Sequence, residues 1–171
     1  MARLHGVEKI EVGPVGADGA PGTDLEEVTG LRLDSVNVTI PAIEGNPIYV
    51  EETESAFDEL DDDQPDPVQV TFASYVADNE TLHAIYGGTL SGGKYTPSRS
   101  GEIRTVIITT KAREGSQKRF VFPRVRLRPS IDQTLTKSDL TAVTATGTAL
   151  TPYDGSGNAL QDFYMEDVAV P

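Results

Sequence analysis

The sequence predicts a mainly β protein: an antiparallel β-sandwich or curved sheet with one short α-helix on its flank. Three observations carry that expectation. Short segments of alternating apolar and polar residues, rich in Val, Ile and Thr, recur between turn-forming clusters. One stretch alone has the i, i+3, i+4 apolar spacing of a helix. The chain carries 16 Gly and 11 Pro with 37% hydrophobic and 6% aromatic residues, a balance that suits a loop-rich β protein over a helical bundle. Its 171 residues are read as one domain, long enough to bury a core.

The elements follow in order. Leu4–Val12 alternates loosely and is expected to form a short strand. Gly13–Asp24, GPVGADGAPGTD, has glycine at 13, 16, 19 and 22. This Gly-X-Y period is far too short for a collagen strand, and turn composition gives a flexible, extended loop or arm, with the Gly/Pro-rich region reaching residue 29. In Gly30–Ile40, Leu31 and Leu33 share one phase while Val36, Val38 and Ile40 share the other. That slip predicts a β-bulge near Asp34–Ser35, or two short strands. Pro41 and Pro47 bracket a turn region, and residues 42–67 are expected to form a long acidic loop that closes at Pro65 and Pro67.

Val68–Val76 alternates cleanly as a strand. Asp78 is placed to cap a helix over Asn79–Tyr86, in which Leu82, Ile85 and Tyr86 share one face and Gly87–Gly88 supplies the stop. Ser91–Gly101 reads as a Gly/Pro/Ser loop. Glu102–Lys111 and Lys118–Arg128 read as a hairpin around a turn at Arg113–Ser116, and Pro123 predicts an edge or a bulge in the second strand. Leu140–Leu150 is a strand of small residues, Thr151–Asn158 a turn, and 158–171 a C-terminal tail whose Phe163, Tyr164 and Met165 are apolar enough to dock. The count is six or seven strands and one helix.

Charge is segregated along the chain. Of 27 acids, nine lie between Glu51 and Asp66 with no base among them; without those nine the formal charge falls from −13 to −4. So many carboxylates in 16 residues cannot enter an apolar core, because each uncompensated charge costs several kcal/mol to desolvate. Ten of the fourteen bases lie from Lys94 to Arg128. Among them Arg124, Arg126 and Arg128 are spaced by two, which in a strand places them on one face. One reading of this stripe is a solvated outer face, since exposed ion pairs gain little. The other is complementarity between copies: an acidic segment and a basic strand on one chain favour head-to-tail association into rings or stacks. The interface set under that reading is Glu51, Glu52, Glu54, Asp58, Glu59, Asp61, Asp62, Asp63 and Asp66 against Arg124, Arg126 and Arg128.

Several classes find no footing in the residues. There is no cysteine, hence no disulfide and no thiol chemistry. No run approaches the ~18 apolar residues of a membrane span, and the N-terminal residues lack the apolar region of a secretory signal, which sets the expectation of synthesis and folding in the cytoplasm. The acidic stretch has neither the EF-hand pattern nor a glycine. His5 and His83 stand without a nucleophile motif, and no phosphate-binding loop occurs. The chain is therefore expected to be no enzyme, with no cofactor and no metal.

The order of elements resembles the tail tube (major tail) proteins of long-tailed bacteriophages of the siphophage type. The residues that carry the resemblance run from Gly30 to Gly157. They are the acidic excursion between early strands, then VQVTFASYVADNETLHAIYGGT (68–89), RTVIITTK (104–111), KRFVFPRVRLRP (118–129) and LTKSDLTAVTATGTALTPYDGSG (135–157). The resemblance implies a β-sandwich with a flanking helix. In that family six subunits form a ring, their sheets join into a continuous inner barrel, and rings stack into a tube. By the same resemblance the 51–66 excursion bridges rings, the 79–86 helix lies outside, and strand edges join neighbours. The implied partners are the chain itself, a tape measure protein, tail terminator and distal tail proteins, and double-stranded DNA passing through without specific binding. The implied location is the virion tail, assembled in the host cytoplasm. Some members carry an extra C-terminal immunoglobulin-like domain, for which these 171 residues are expected to leave no room. Two other classes fit the residues: another virion component, such as a tail terminator or capsid decoration protein, and a secreted β-sandwich binding module.

Overall fold

The computed structural model describes residues 6–43, 45–48, 58–61, 66–75, 78–113, 115–131 and 140–169. In chain order the strands are β1 (Val7–Gly13), β2 (Glu26–Glu27), β3 (Asn37–Thr39), β4 (Gly45–Ile48), β5 (Asp58–Asp61) and β6 (Gln69–Tyr75). The helix α1 (Asn79–Tyr86) follows, then β7 (Thr89–Ser91), β8 (Lys94–Thr96), β9 (Glu102–Thr110), β10 (Ser116–Ser130), β11 (Ala142–Ala149) and β12 (Tyr164–Ala169). The class is mainly β and every strand pairing is antiparallel. Eight strands form one sheet in the order β2-β1-β9-β10-β11-β6-β3, with β12 also on β10, and β4–β5 and β7–β8 are separate two-stranded hairpins. No closed barrel occurs among the described residues.

The sheet turns at β10. Pro123 has no N–H to give to the ladder, and the register slips there: Phe122 faces Val106, but Val125 faces Arg104. The bulge expected from Pro123 is thus present, in a strand that lies in the middle of the sheet. On the side away from β9, the first half of β10 takes β12 (Phe120 opposite Met165) and the second half takes β11 (Leu127 opposite Gly147). The two halves curve about a common core. Ile10 of β1, Phe72 of β6, Val106 of β9 and Phe122 of β10 join one buried cluster with Ile85 and Tyr86 of α1. Strands lie ~4.8 Å apart, so a flat sheet could not bring β1 and β6 to the same helix.

The helix matches its sequence signals. Asp78 accepts hydrogen bonds from the Glu80 and Thr81 N–H groups, both at 3.0 Å, and Gly87 closes the helix at φ 72°. Leu82, Ile85 and Tyr86 are buried, the Tyr86 ring stacks on Phe72 at 6.4 Å, and its hydroxyl meets Ser74 Oγ at 2.9 Å.

Other segments depart from expectation. Twelve strands are present among the described residues instead of six or seven, because short pairs with little hydrophobic patterning were counted as loops. Ser91–Gly101 holds half a hairpin: β7 and β8 pair around Gly92 and Gly93, both at positive φ, as a two-residue turn with the twist of the strands requires. The C-terminal tail contains β12, which completes one edge of the main sheet. The acidic stretch is not one loop, since Gly45–Ile48 pairs with Asp58–Asp61. The Gly-X-Y stretch is a folded loop and not an extended arm. The Gly16 N–H bonds Ala20 O at 3.1 Å, and Gly22 packs so closely that a Cβ there would sit 1.8 Å from Pro14 O. The slip in Gly30–Ile40 is real: Leu31 bridges to Ser74, β3 pairs with β6 further on, and Asp34 between them has φ 55°.

Candidate functional site: a two-row polar face

The alternation of β10 after its bulge decides where the arginines go. Val125 and Leu127 are fully buried, so Arg124, Arg126 and Arg128 lie on the opposite face, as their spacing predicted. They are not equivalent. Arg124 is half-buried in a recess of about 130 Å³ between the 15–20 loop and Tyr153, and its Nη1 donates to Thr151 O at 3.4 Å. Arg126 is half-buried and Arg128 exposed. None of the three has a carboxylate partner among the described residues.

Register extends Arg126 and Arg128 into two rows across four strands. Arg126 lies opposite Thr148, Thr148 opposite Gln69, and Gln69 opposite Thr39. Arg128 lies opposite Thr146, Thr146 opposite Thr71, and Thr71 opposite Asn37. The alternate residues of β11, Val143, Ala145 and Ala149, are in the core, which is why its threonines point outward. Each row has one guanidinium at its end followed by hydroxyls and amides, with no acid at any position. In a chain of net charge −13 this is the part of the sheet where negative charge is missing. The sequence signal was the Thr-x-Thr-x-Thr phase of 144–148; what it could not reveal was that β6 and β3 continue the rows.

The acids of the expected interface are placed less fully. Asp58, Glu59 and Asp61 lie on β5, and Asp66 is exposed just before β6. Glu51, Glu52, Glu54, Asp62 and Asp63 lie outside the described residues.

A second feature was missed from sequence because Tyr95, Pro97 and Arg99, which form one of its walls, were read as loop. A largely apolar groove of about 790 Å³ lies between α1, β8 and the adjoining ends of β10 and β11, lined by Leu82, Tyr86, Tyr95, Pro97, Ile131 and Val143 among others. Burial pushes the Tyr95 hydroxyl above the usual phenol range, with Glu102 adding to the shift and Arg104 opposing it. Glu102 is held behind the helix end, accepting from the Gly88 N–H at 2.6 Å and from Arg104 Nη2 at 3.2 Å. His83 Nδ1 is buried and finds no hydrogen-bond partner among the described residues. No group of three His, Asp or Glu among the described residues is arranged to hold a metal ion.

Compared with known proteins, the chain matches no protein-family model and no curated sequence.

Proposed function

We propose that the chain is a structural virion subunit that assembles into stacked rings forming the tail tube of a long-tailed bacteriophage. The observation that carries this reading is the open state of the main sheet. Among the described residues, β2 pairs only with β1, β3 only with β6 and β12 only with β10, so each of these strands has one edge without a partner strand. Unpaired edges invite uncontrolled association unless a neighbour closes them. Because these edges belong to different strands, pairing one to another between copies is heterologous, and a heterologous contact closes into a ring when the rotation permits. An antiparallel sheet with one α-helix among the described residues is compatible with the reading and not specific to it.

Segregated charge supports the same reading. The acidic segment 51–66 is assigned to the contact between stacked rings, against Arg124, Arg126 and Arg128 of another copy. Such contacts set register and partner choice more than affinity. Negative-stain electron microscopy of concentrated protein tests the proposal: rings or tubes are expected, and strictly monomeric particles, alone and with other tail proteins added, would refute it.

A further inference from the structure

The groove beside α1 is walled by residues that share a face of each element. Asn79, Leu82 and Tyr86 fall at i, i+3 and i+7 of the helix. Tyr95, Pro97 and Arg99 alternate along β8 and the chain that leaves it. Pro129 and Ile131 alternate out of β10, and Thr141 and Val143 alternate into β11. The β7–β8 hairpin is fastened to the helix at both of its ends. Asn79 Nδ2 donates to Gly93 O at 2.7 Å, and Gly88 packs so closely that a Cβ there would sit 2.4 Å from Thr96 O. The groove is therefore built into the fold, and its volume of about 790 Å³ lies within the ~300–1,000 Å³ of small-molecule sites.

We propose that this groove binds a small amphipathic carboxylate, an apolar body with one anionic head, of the kind a long-chain fatty acid presents. The body is set by the walls. Ile131 is 58% exposed at the rim, and an apolar chain laid over it and Leu82 removes that surface from water. The head is set by charge. Arg99 is the one charged residue of the lining among the described residues, it is exposed, and it makes no ion pair with any of them. A guanidinium receives a carboxylate through two parallel hydrogen bonds. The lining holds one more unclaimed donor: the Tyr95 hydroxyl is enclosed and has no hydrogen-bond partner among the described residues. Such a group is ordinarily satisfied by water or a ligand. A bare inorganic anion would leave the apolar walls unused, with a single rim arginine to hold it. The site does not rest on the tube reading.

The test is titration of the full chain with cis-parinaric acid, a fatty acid whose fluorescence rises in apolar surroundings, kept below its micelle concentration. Saturable uptake at one site per chain is expected, with a dissociation constant on the order of tens of micromolar, as the efficiency of ligands of that size allows. Thr141→Trp, at a half-buried lining position before β11, fills the groove and should weaken uptake at least about tenfold by excluding the ligand body. If T141W does not fold by circular dichroism, Ile131→Trp at the exposed rim replaces it. Arg99→Gln should weaken the acid about three- to fivefold, the size of an exposed ion pair, and its methyl ester by less than about twofold. Absence of saturable uptake by the wild type overturns the proposal. Uptake that the groove-filling variant leaves unchanged places the ligand elsewhere and overturns it too. Equal binding of acid and ester, with R99Q without effect on either, overturns the assignment of an anionic ligand. Uptake that appears only when residues 132–139 are replaced by a glycine–serine stretch of equal length would mean that the chain fills its own groove, and the proposal fails. Ring formation, read separately by microscopy, bears on the tube reading alone.

Discussion

Thr105 Oγ1 donates a hydrogen bond to the carbonyl of Pro123 at 2.8 Å, across the register slip that bends β10. The same oxygen accepts from the Gly22 N–H at 2.8 Å, and the Thr105 side chain is fully buried. One hydroxyl thus satisfies a bulge carbonyl and a loop amide that the β ladder leaves without partners. It ties the 13–24 loop to the bend from which the two halves of the sheet diverge.

Replacing Thr105 with Val keeps the shape and removes both bonds. Buried Pro123 O and Gly22 N–H are then unpaired, and a loss of about 2–4 kcal/mol is expected from two groups at about 1–3 kcal/mol each, with partial relief by water. Urea unfolding of T105V checks this; T105S, which keeps the hydroxyl, should recover most of the loss.

Gly147 sits where β11 crosses the core. A Cβ there would approach Val125 Cγ1 to 2.6 Å and Val70 Cγ1 to 2.8 Å, atoms of fully buried side chains on both neighbouring strands. Gly147→Ala is expected to destabilise by about 1–3 kcal/mol through overpacking. A shift of the urea midpoint smaller than experimental error would show that the neighbouring valines move aside freely. Val125→Ala in the same chain should relieve part of the cost of G147A.

Asp78 gives a pH dependence. The backbone N–H and hydroxyl of Thr81, with the Glu80 N–H, hold its carboxylate below the usual aspartate range. A carboxyl whose pKa is lower folded than unfolded stabilises the fold above its unfolded pKa, and that contribution disappears as pH falls through the folded one. Asp78→Asn retains a capping oxygen but not the charge. Its stability should fall below wild type at neutral pH and converge with it in strong acid. Parallel thermal melts from neutral to acidic pH show whether the two curves meet.

Charge reversal tests assembly separately from folding. The triple variant D61K/D62K/D63K should keep a wild-type circular dichroism spectrum while forming fewer or no rings under the microscope. Collapse of the spectrum would mean that the segment is structural, and undiminished assembly would mean that its acids are only solvated.

How much was legible follows the range of the interactions. The cap at Asp78, the stripe Leu82–Ile85–Tyr86 and the stop at Gly87 are settled within one or two turns, and all were readable. So were the slip near Asp34 and the bulge at Pro123, since a phase change and a missing N–H are local facts. The β7–β8 hairpin was readable in principle from Gly92–Gly93, but three-residue strands carry too little periodicity to outweigh a loop-like composition. β12 alternates weakly, with Lys118 paired to Asp167 and Arg119 to Glu166 across its register, so its stabilising partners lie nearly fifty residues away.

The sequence alone determined the β class, the helix and its cap, the outward phase of Arg124, Arg126 and Arg128, and the concentration of acid in one segment. Each depends on neighbours along the chain, or on counting. Tertiary structure decided which strands stand side by side, and therefore that Arg126 shares a row with Thr39 and Arg128 with Asn37. It also separated Arg124 from the other two by folding the 15–20 loop over it. Strand order is fixed by which faces bury together around α1, a condition on residues far apart in sequence that no local pattern encodes.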